Sequence, residues 1–235
     1  MLPEVIADGN ENLPGRLAGV FEREFQQAVA ARGRFSLGLP GGSLADAFFP
    51  RLAALPLDWA RVAFFWGDER AVPPTHPDSN YGAAKARWLD PAGVPAASIH
   101  RMPADSPDLE QAAADYEAVL LRELGTPPRL DLVLLGVGPD GHVCSLFAGH
   151  PLLGEETRWV AAIEDSPKPP PRRMTLTLPT LAAAELVIVA ALGASKAQAV
   201  RAALEEPESP LPLAIVTRRA RRVVFLLDPE AAGKT

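Results

Sequence analysis

Short, largely apolar runs alternate along this chain with longer segments whose apolar residues recur at helical spacing. The clearest runs are Val62–Trp66, residues 130–137 and residues 186–192. A strand that is apolar at consecutive positions is covered on both faces, which is the mark of a parallel sheet rather than a half-exposed antiparallel one. Residues 13–31 place Leu17, Val20, Phe21, Phe25 and Val29 on one helical stripe. Residues 108–124 and 194–204 are also helical, and further strands are predicted at 34–39, 174–178, 213–217 and Val223–Leu227. Strand and helix in alternation give an α/β fold, with a mostly parallel sheet between helices. Ligands in such folds bind beyond the carboxyl ends of the strands, so the strand-to-helix turns are the places to search for function.

Length and composition narrow the class. The 235 residues show no linker and no internal repeat, and residues 1–235 read as a single domain. Twenty-five prolines punctuate the loops, most densely at Pro167-Lys168-Pro169-Pro170-Pro171, which reads as a stiff loop. A net charge of -6 argues against nucleic acid and anionic membrane as partners, while leaving room for one local basic pocket. The single cysteine, Cys144, excludes an intrachain disulfide and a Cys-based zinc site, and is expected to be a small buried hydrophobe. There is no basic-then-apolar segment at the N-terminus. No apolar run approaches the ~18 residues that span a bilayer. A cytoplasmic setting is the expectation.

Three turns carry the polar chemistry. Pro40-Gly41-Gly42-Ser43 follows a strand; its glycines allow close backbone approach, and N–H groups at a helix start favour an anion. Ser43 is placed to cap the helix that follows, with Pro50 kinking or shortening it. The same Gly-Gly-Ser would equally serve as a plain tight turn. Gly67-Asp68-Glu69-Arg70 brings three charges to a strand end, where burial requires partners. Arg70 there is either a planar donor for a negative oxygen or half of an internal ion pair. Downstream, Ser79 reads as a helix cap. In Gly136-Val137-Gly138-Pro139-Asp140-Gly141-His142, two glycines end a buried strand and His142 is expected near a helix start. The helix dipole there would keep the imidazole neutral and fit for general-base work; the alternative is an Asp140 cap with a packed histidine.

Two later cations complete the set. Arg172-Arg173 precedes a strand, so one of the pair should turn inward from the proline loop. Lys196, one of four lysines, lies by a helix N-terminus, where a cation without an anionic partner is disfavoured. A Gly-Ser turn, an arginine and a lysine at strand ends imply phosphate binding, and a neutral histidine beside them implies water activation or proton abstraction. The histidines at 76, 100, 142 and 150 have no zinc-ligand spacing, so neither a metal nor another cofactor is expected. No nucleophile elbow of the G-x-S-x-G kind occurs.

Taken in order, these turns resemble the 6-phosphogluconolactonase family of the glucosamine/galactosamine-6-phosphate isomerase superfamily. The resemblance runs from Gly41-Gly42-Ser43 through Asp68-Glu69-Arg70, Asn80-Tyr81-Gly82, the Gly136–His142 turn, Ser145-Leu146-Phe147 and Ser166–Pro171 to Arg173 and the segment 193–197. It implies a Rossmann-like three-layer α/β/α sandwich that hydrolyses 6-phosphoglucono-1,5-lactone without a cofactor. It makes His142 the base that activates water; by chemistry, Asp68 or Asp140 is then the carboxylate expected to orient the ring. Arg70, or backbone N–H groups of the Gly141-His142 turn, would be the oxyanion donors. It puts the substrate phosphate at Gly41, Gly42, Ser43, Arg173 and Lys196. A monomer is the expectation, with a dimer as the alternative.

Glucosamine-6-phosphate deaminases resemble the same Gly-x-Asp-Gly-His turn but carry a glutamate five positions after the histidine; here that position is Phe147. A phenylalanine neither accepts a proton nor orients an imidazole. Sugar-phosphate-sensing domains of bacterial regulators resemble the superfamily too, but this chain has no spare helix-turn-helix segment. Departures from the lactonase pattern are Val143, Ala148 and Leu44, the last removing one hydroxyl donor beside Ser43.

Overall fold

Six strands lie side by side in one fully parallel sheet, and their order places one gap in the connections at its middle. The computed structural model describes residues 2–233. The sheet is built from β1 (Glu4–Ala7), β2 (Phe35–Leu39), β3 (Val62–Trp66), β5 (Leu132–Gly136), β8 (Leu186–Ala191) and β9 (Val223–Leu227). Their order is β1-β9-β8-β5-β2-β3, and every pairing is parallel. The chain leaves β2 toward β3 on one side and β5 toward β8 on the other. The neighbours β2 and β5 therefore mark the point where strand order reverses, and a crevice opens beyond their carboxyl ends. A smaller antiparallel sheet, β4 (Asp68–Arg70), β7 (Arg173–Leu176) and β6 (Val160–Ile163), stands beside it in the order β4-β7-β6.

Helices flank the main sheet. They are α1 (Leu13–Arg32), α2 (Ser43–Ala53), α3 (Asn80–Ala84), α4 (Leu109–Leu124), α5 (Leu178–Ala183), α6 (Ala197–Glu205) and α7 (Pro212–Arg219). Helix α1 starts on a first-turn proline, buries Leu17, Phe21, Phe25 and Ala28, and stops at Gly33 in the left-handed region. Asp108 caps α4 by accepting the Gln111 N–H, and Gly125 follows its end. The helix-facing core is aromatic: Trp88 lies edge-on to Phe64 at 5.4 Å and to Trp59 at 5.6 Å. At the opposite end of β2 from the crevice, Asp131 Oδ2 accepts from the Ser36 N–H (2.7 Å) and hydroxyl (2.9 Å), locking β2 to the entry of β5.

Four local expectations change. Residues 213–217 form part of α7, not a strand. A short apolar run does not reveal its own period; here Pro212 opens a helix and Arg218-Arg219 end it, with Leu213, Ala214 and Val216 on its buried side. Asp68–Arg70 is a short strand rather than a turn. Ser43 is the first helical residue with Gly42 at the cap position, no side-chain cap is made, and α2 continues through Pro50 to Ala53. No helix starts at His142: residues 143–150 are turns and an isolated bridge between Val143 and Leu146.

Candidate active site

A cavity of about 230 Å³ opens at the switch point. Its walls include Gly41, Gly42, Ser43, Asp68, Arg70, His142, Arg173 and Lys196. Residues that are up to 155 positions apart in the chain thus meet in one crevice, because each lies at the end of a strand or in a turn beside one. The ninth sequence-derived candidate, Asp140, stands behind His142.

The histidine turn is shaped by close approach. His142 Nδ1 lies 2.6 Å from Asp140 Oδ1. A Cβ on Gly138 would overlap both the His142 ring and the Asp140 carboxylate, so only glycine allows the pair to fold over this backbone. The turn is closed by Gly138 N–H donating to His142 O and Gly141 N–H donating to Gly138 O, both at 2.9 Å. Phe147 supports the ring from below, with centroids 4.9 Å apart.

Lys168, from the proline loop, is the third member of this group. Its Nζ is 2.9 Å from Asp140 Oδ2 and 3.2 Å from His142 Nδ1. Two donors cannot serve each other, so the coherent proton arrangement has both Nδ1–H and the ammonium directed at the Asp140 carboxylate. Nε2 then carries the lone pair. Burial raises the Asp140 carboxyl, but the hydrogen bonds from His142 and Lys168, with their charge, outweigh it and hold Asp140 well below the usual carboxylate range. Burial lowers the His142 pKa; the Asp140 hydrogen bond and charge push it back up, the Lys168 charge lowers it, and the net shift is downward. The ring is neutral at pH 7 because it is desolvated, not because of a helix dipole.

Asp68 faces a different network. Its Oδ2 accepts from the Ser145 hydroxyl at 2.7 Å and its Oδ1 from Asn80 Nδ2 at 3.1 Å. Asp140, and not Asp68, is the carboxylate in hydrogen-bond contact with His142. Glu69, 3% exposed, accepts from the backbone N–H groups of Arg70, Asn80 and Tyr81 and from the Ser79 hydroxyl. Burial pushes its carboxyl up against these hydrogen bonds. Glu69 therefore nails the start of α3 to β4 and sets the backbone on which Asp68 and Arg70 stand. Ser79 caps α3 through the Gly82 N–H at 3.0 Å. Arg70 donates from one terminal nitrogen to Asp78 O at 2.9 Å, and its Nε is buried without a partner.

Cations also line the cavity: Arg70, Arg173 and Lys196. Gly42, with φ +70°, turns the chain from β2 into α2 and leaves Ser43 exposed at the cavity wall. Arg173, 4% exposed, donates to the carbonyls of Lys168, Pro169 and Pro170 and to the Ser145 hydroxyl. It holds the proline loop that delivers Lys168, with one N–H left over from its five. Its neighbour Arg172 points outward to Glu164 at 2.7 Å. Lys196 closes a single 3-10 turn ahead of α6; burial, with the charge of Lys168, lowers its pKa. Cys144 lines the cavity with φ +50°, and burial pushes its thiol up. Among the described residues no group of three His, Cys, Asp or Glu could hold a metal ion, and no helix is long and apolar enough to cross a membrane.

Lys168, Glu69, Asn80 and Ser145 were not singled out from the sequence as site residues. The rarity of lysine was a signal for Lys168. The three consecutive charges at 68–70 were a signal that Glu69 needed buried partners.

A desolvated histidine, a glycine-serine turn and three cations in one crevice beyond a parallel sheet define a class: α/β proteins whose ligand site lies at the switch point of the sheet. The family is narrower. The model described as glucosamine-6-phosphate isomerases/6-phosphogluconolactonase matches residues 8–225. The chain is 45% identical to 6-phosphogluconolactonase of Rattus norvegicus over 86% of this chain and 80% of that one. The human 6-phosphogluconolactonase is 43% identical over 87% of this chain and 82% of its own length. The solved structure of 6-phosphogluconolactonase from Trypanosoma cruzi is similar with a TM-score of 0.89 at 27% identity, covering 99% of this chain and 97% of that chain. This chain belongs to the glucosamine-6-phosphate isomerase/6-phosphogluconolactonase family.

The electrostatics give a direct test. His142 should titrate below its ordinary value of 6.5. Replacing Lys168 by Met removes a positive charge and should move the His142 pKa upward. An NMR titration of the imidazole reads both; an unmoved or lowered pKa in the variant would refute the role given to Lys168.

Proposed function

We propose that this chain hydrolyses 6-phospho-D-glucono-1,5-lactone to 6-phospho-D-gluconate, a step of the oxidative pentose phosphate pathway, using His142 as general base. The observation that carries the reading is the His142–Asp140–Lys168 group, with the imidazole desolvated and Nε2 left as the base, in the same cavity as Ser43 and Lys196. The relatives' names supply the substrate.

The phosphate binds at Gly41-Gly42-Ser43, Lys196 and the remaining N–H of Arg173, which orients C1 toward His142; remote binding energy is used for orientation. Nε2 removes a proton from water as its oxygen attacks C1. Asp140 stabilises the imidazolium that forms. The carbonyl oxygen becomes an oxyanion. The N–H groups of Gly138 and Gly141 are spent within the turn, which leaves the His142 N–H and the terminal nitrogens of Arg70 as the donors for it. The C1–ring-oxygen bond then breaks, and His142 returns its proton to the departing oxygen. Asp68 steadies the floor of the cavity through Ser145 and Asn80. No step calls on a metal or another cofactor, and activity should survive EDTA treatment; loss on chelation with recovery on adding Zn²⁺ or Mg²⁺ would refute this mechanism.

The deaminase activity of the wider family is disfavoured at one position. Phe147 is 2% exposed and packs on His142, so that site offers an apolar surface instead of a carboxylate.

His142→Ala should still bind 6-phosphogluconate while turnover falls by roughly 10²–10⁴, the worth of a positioned base. In the parent enzyme the rate should drop on the acid side, below pH 6.5, as the ring protonates. A folded variant with near-parental turnover would overturn the assignment. Lys196→Ala should weaken substrate, product and inorganic phosphate alike, by roughly 1.5–3 kcal/mol for one charge-assisted contact. Unchanged phosphate inhibition would move the anion elsewhere.

A further inference from the structure

The turn that carries Lys196 is held by two carboxylates that follow β9, neither of them in the cavity wall. Gly193 begins it at φ +87°, and its N–H donates to Asp228 Oδ2 at 2.8 Å. The next N–H, of Ala194, donates to Glu230 Oε2 at 3.1 Å. Asp228 is 2% exposed. Its second oxygen accepts the Ala231 N–H at 2.7 Å. Lys196 N–H then closes the turn on Gly193 O at 3.0 Å. The buried carboxylate thus joins two segments, one oxygen to each.

Two consequences follow. First, the leading N–H groups of this turn are committed to carboxylates. They are not free for an anion in the cavity, which leaves the Ser195 N–H and the side chain of Lys196 as what this turn offers a phosphate. Second, the place of that side chain depends on Gly193, and Gly193 is fixed by Asp228. A carboxylate can accept on both oxygens, whereas an asparagine must turn its NH₂ toward one of the two N–H donors.

We infer that Asp228 is a positioning residue for phosphate binding, fixing the Gly193 turn and through it the Lys196 ammonium. The inference rests on the phosphate role given to Lys196 above. Asp228→Asn should raise KM and the inhibition constant for inorganic phosphate by roughly 3–10-fold, about one hydrogen bond's worth, with kcat within about twofold. A merely structural role would instead lower the active fraction, and with it apparent kcat, at unchanged KM.

The decisive arm is a double-mutant cycle on phosphate inhibition. In a Lys196→Ala background, Asp228→Asn should add little further loss, since the group it positions is gone. Full additivity, or an unchanged KM in Asp228→Asn alone, would overturn the inference. If Lys196→Ala itself left phosphate inhibition unchanged, the phosphate reading would fail and this inference with it. Should Asp228→Asn not fold, Glu230→Gln replaces it in the cycle. It removes the charge from the other, exposed anchor, so a smaller loss of the same sign, again absent without Lys196, is expected; no loss, or the same loss without Lys196, would count against the clamp.

Discussion

Burial on both faces leaves the central strands almost no polar side chains, and this constraint decides where chemistry can sit. Strands β5, β8 and β9 carry none, and β2 carries only Ser36, whose hydroxyl is tied to Asp131. Every polar group that needs a defined position must therefore lie where a strand ends. The sheet order then brings the ends of β2, β5 and β8 together and supplies the Gly-Ser turn, the histidine turn and the Lys196 turn to one crevice.

The small sheet that walls this crevice is stabilised by buried polar networks rather than by apolar packing alone. Glu69 takes four hydrogen bonds, Asp68 two, and Arg173 gives four. Ser145 joins them, touching both Asp68 and Arg173. A buried charge is tolerable when hydrogen bonds replace the water it loses, and each bond made narrows the arrangements left to the network. This gives the cavity a fixed floor, and it couples the loop bearing Lys168 to the strand bearing Asp68.

Much of this was legible in the sequence because it followed from periodicity and turn chemistry. The apolar runs became β3, β5, β8 and β9, and the glycine-rich ends of β2 and β5 line the cavity. What was not legible depended on context. Residues 213–217 have the apolar density of a strand, and only Pro212 and the basic end mark the helix. Strand β1 is largely exposed and β6 is four residues long, so neither carries a strong period. A helix after His142 was expected from the shape of the turn, yet Val143 bridges back to Leu146 instead. The neutral imidazole expected from a dipole has a different cause, desolvation. Lys168 reaches His142 across 26 positions through a loop whose path Arg173 sets, and no local spacing encodes that.

The central claim is that one cavity holds both the phosphate, at Ser43 and Lys196, and the reacting carbon, at His142. A crystal structure with 6-phosphogluconate bound tests it most directly. The account predicts the phosphate at Ser43 and Lys196, and the C1 carboxylate within hydrogen-bond reach of His142 Nε2 and facing Arg70. A phosphate seated beside His142, or a C1 group pointing away from the imidazole, would contradict it.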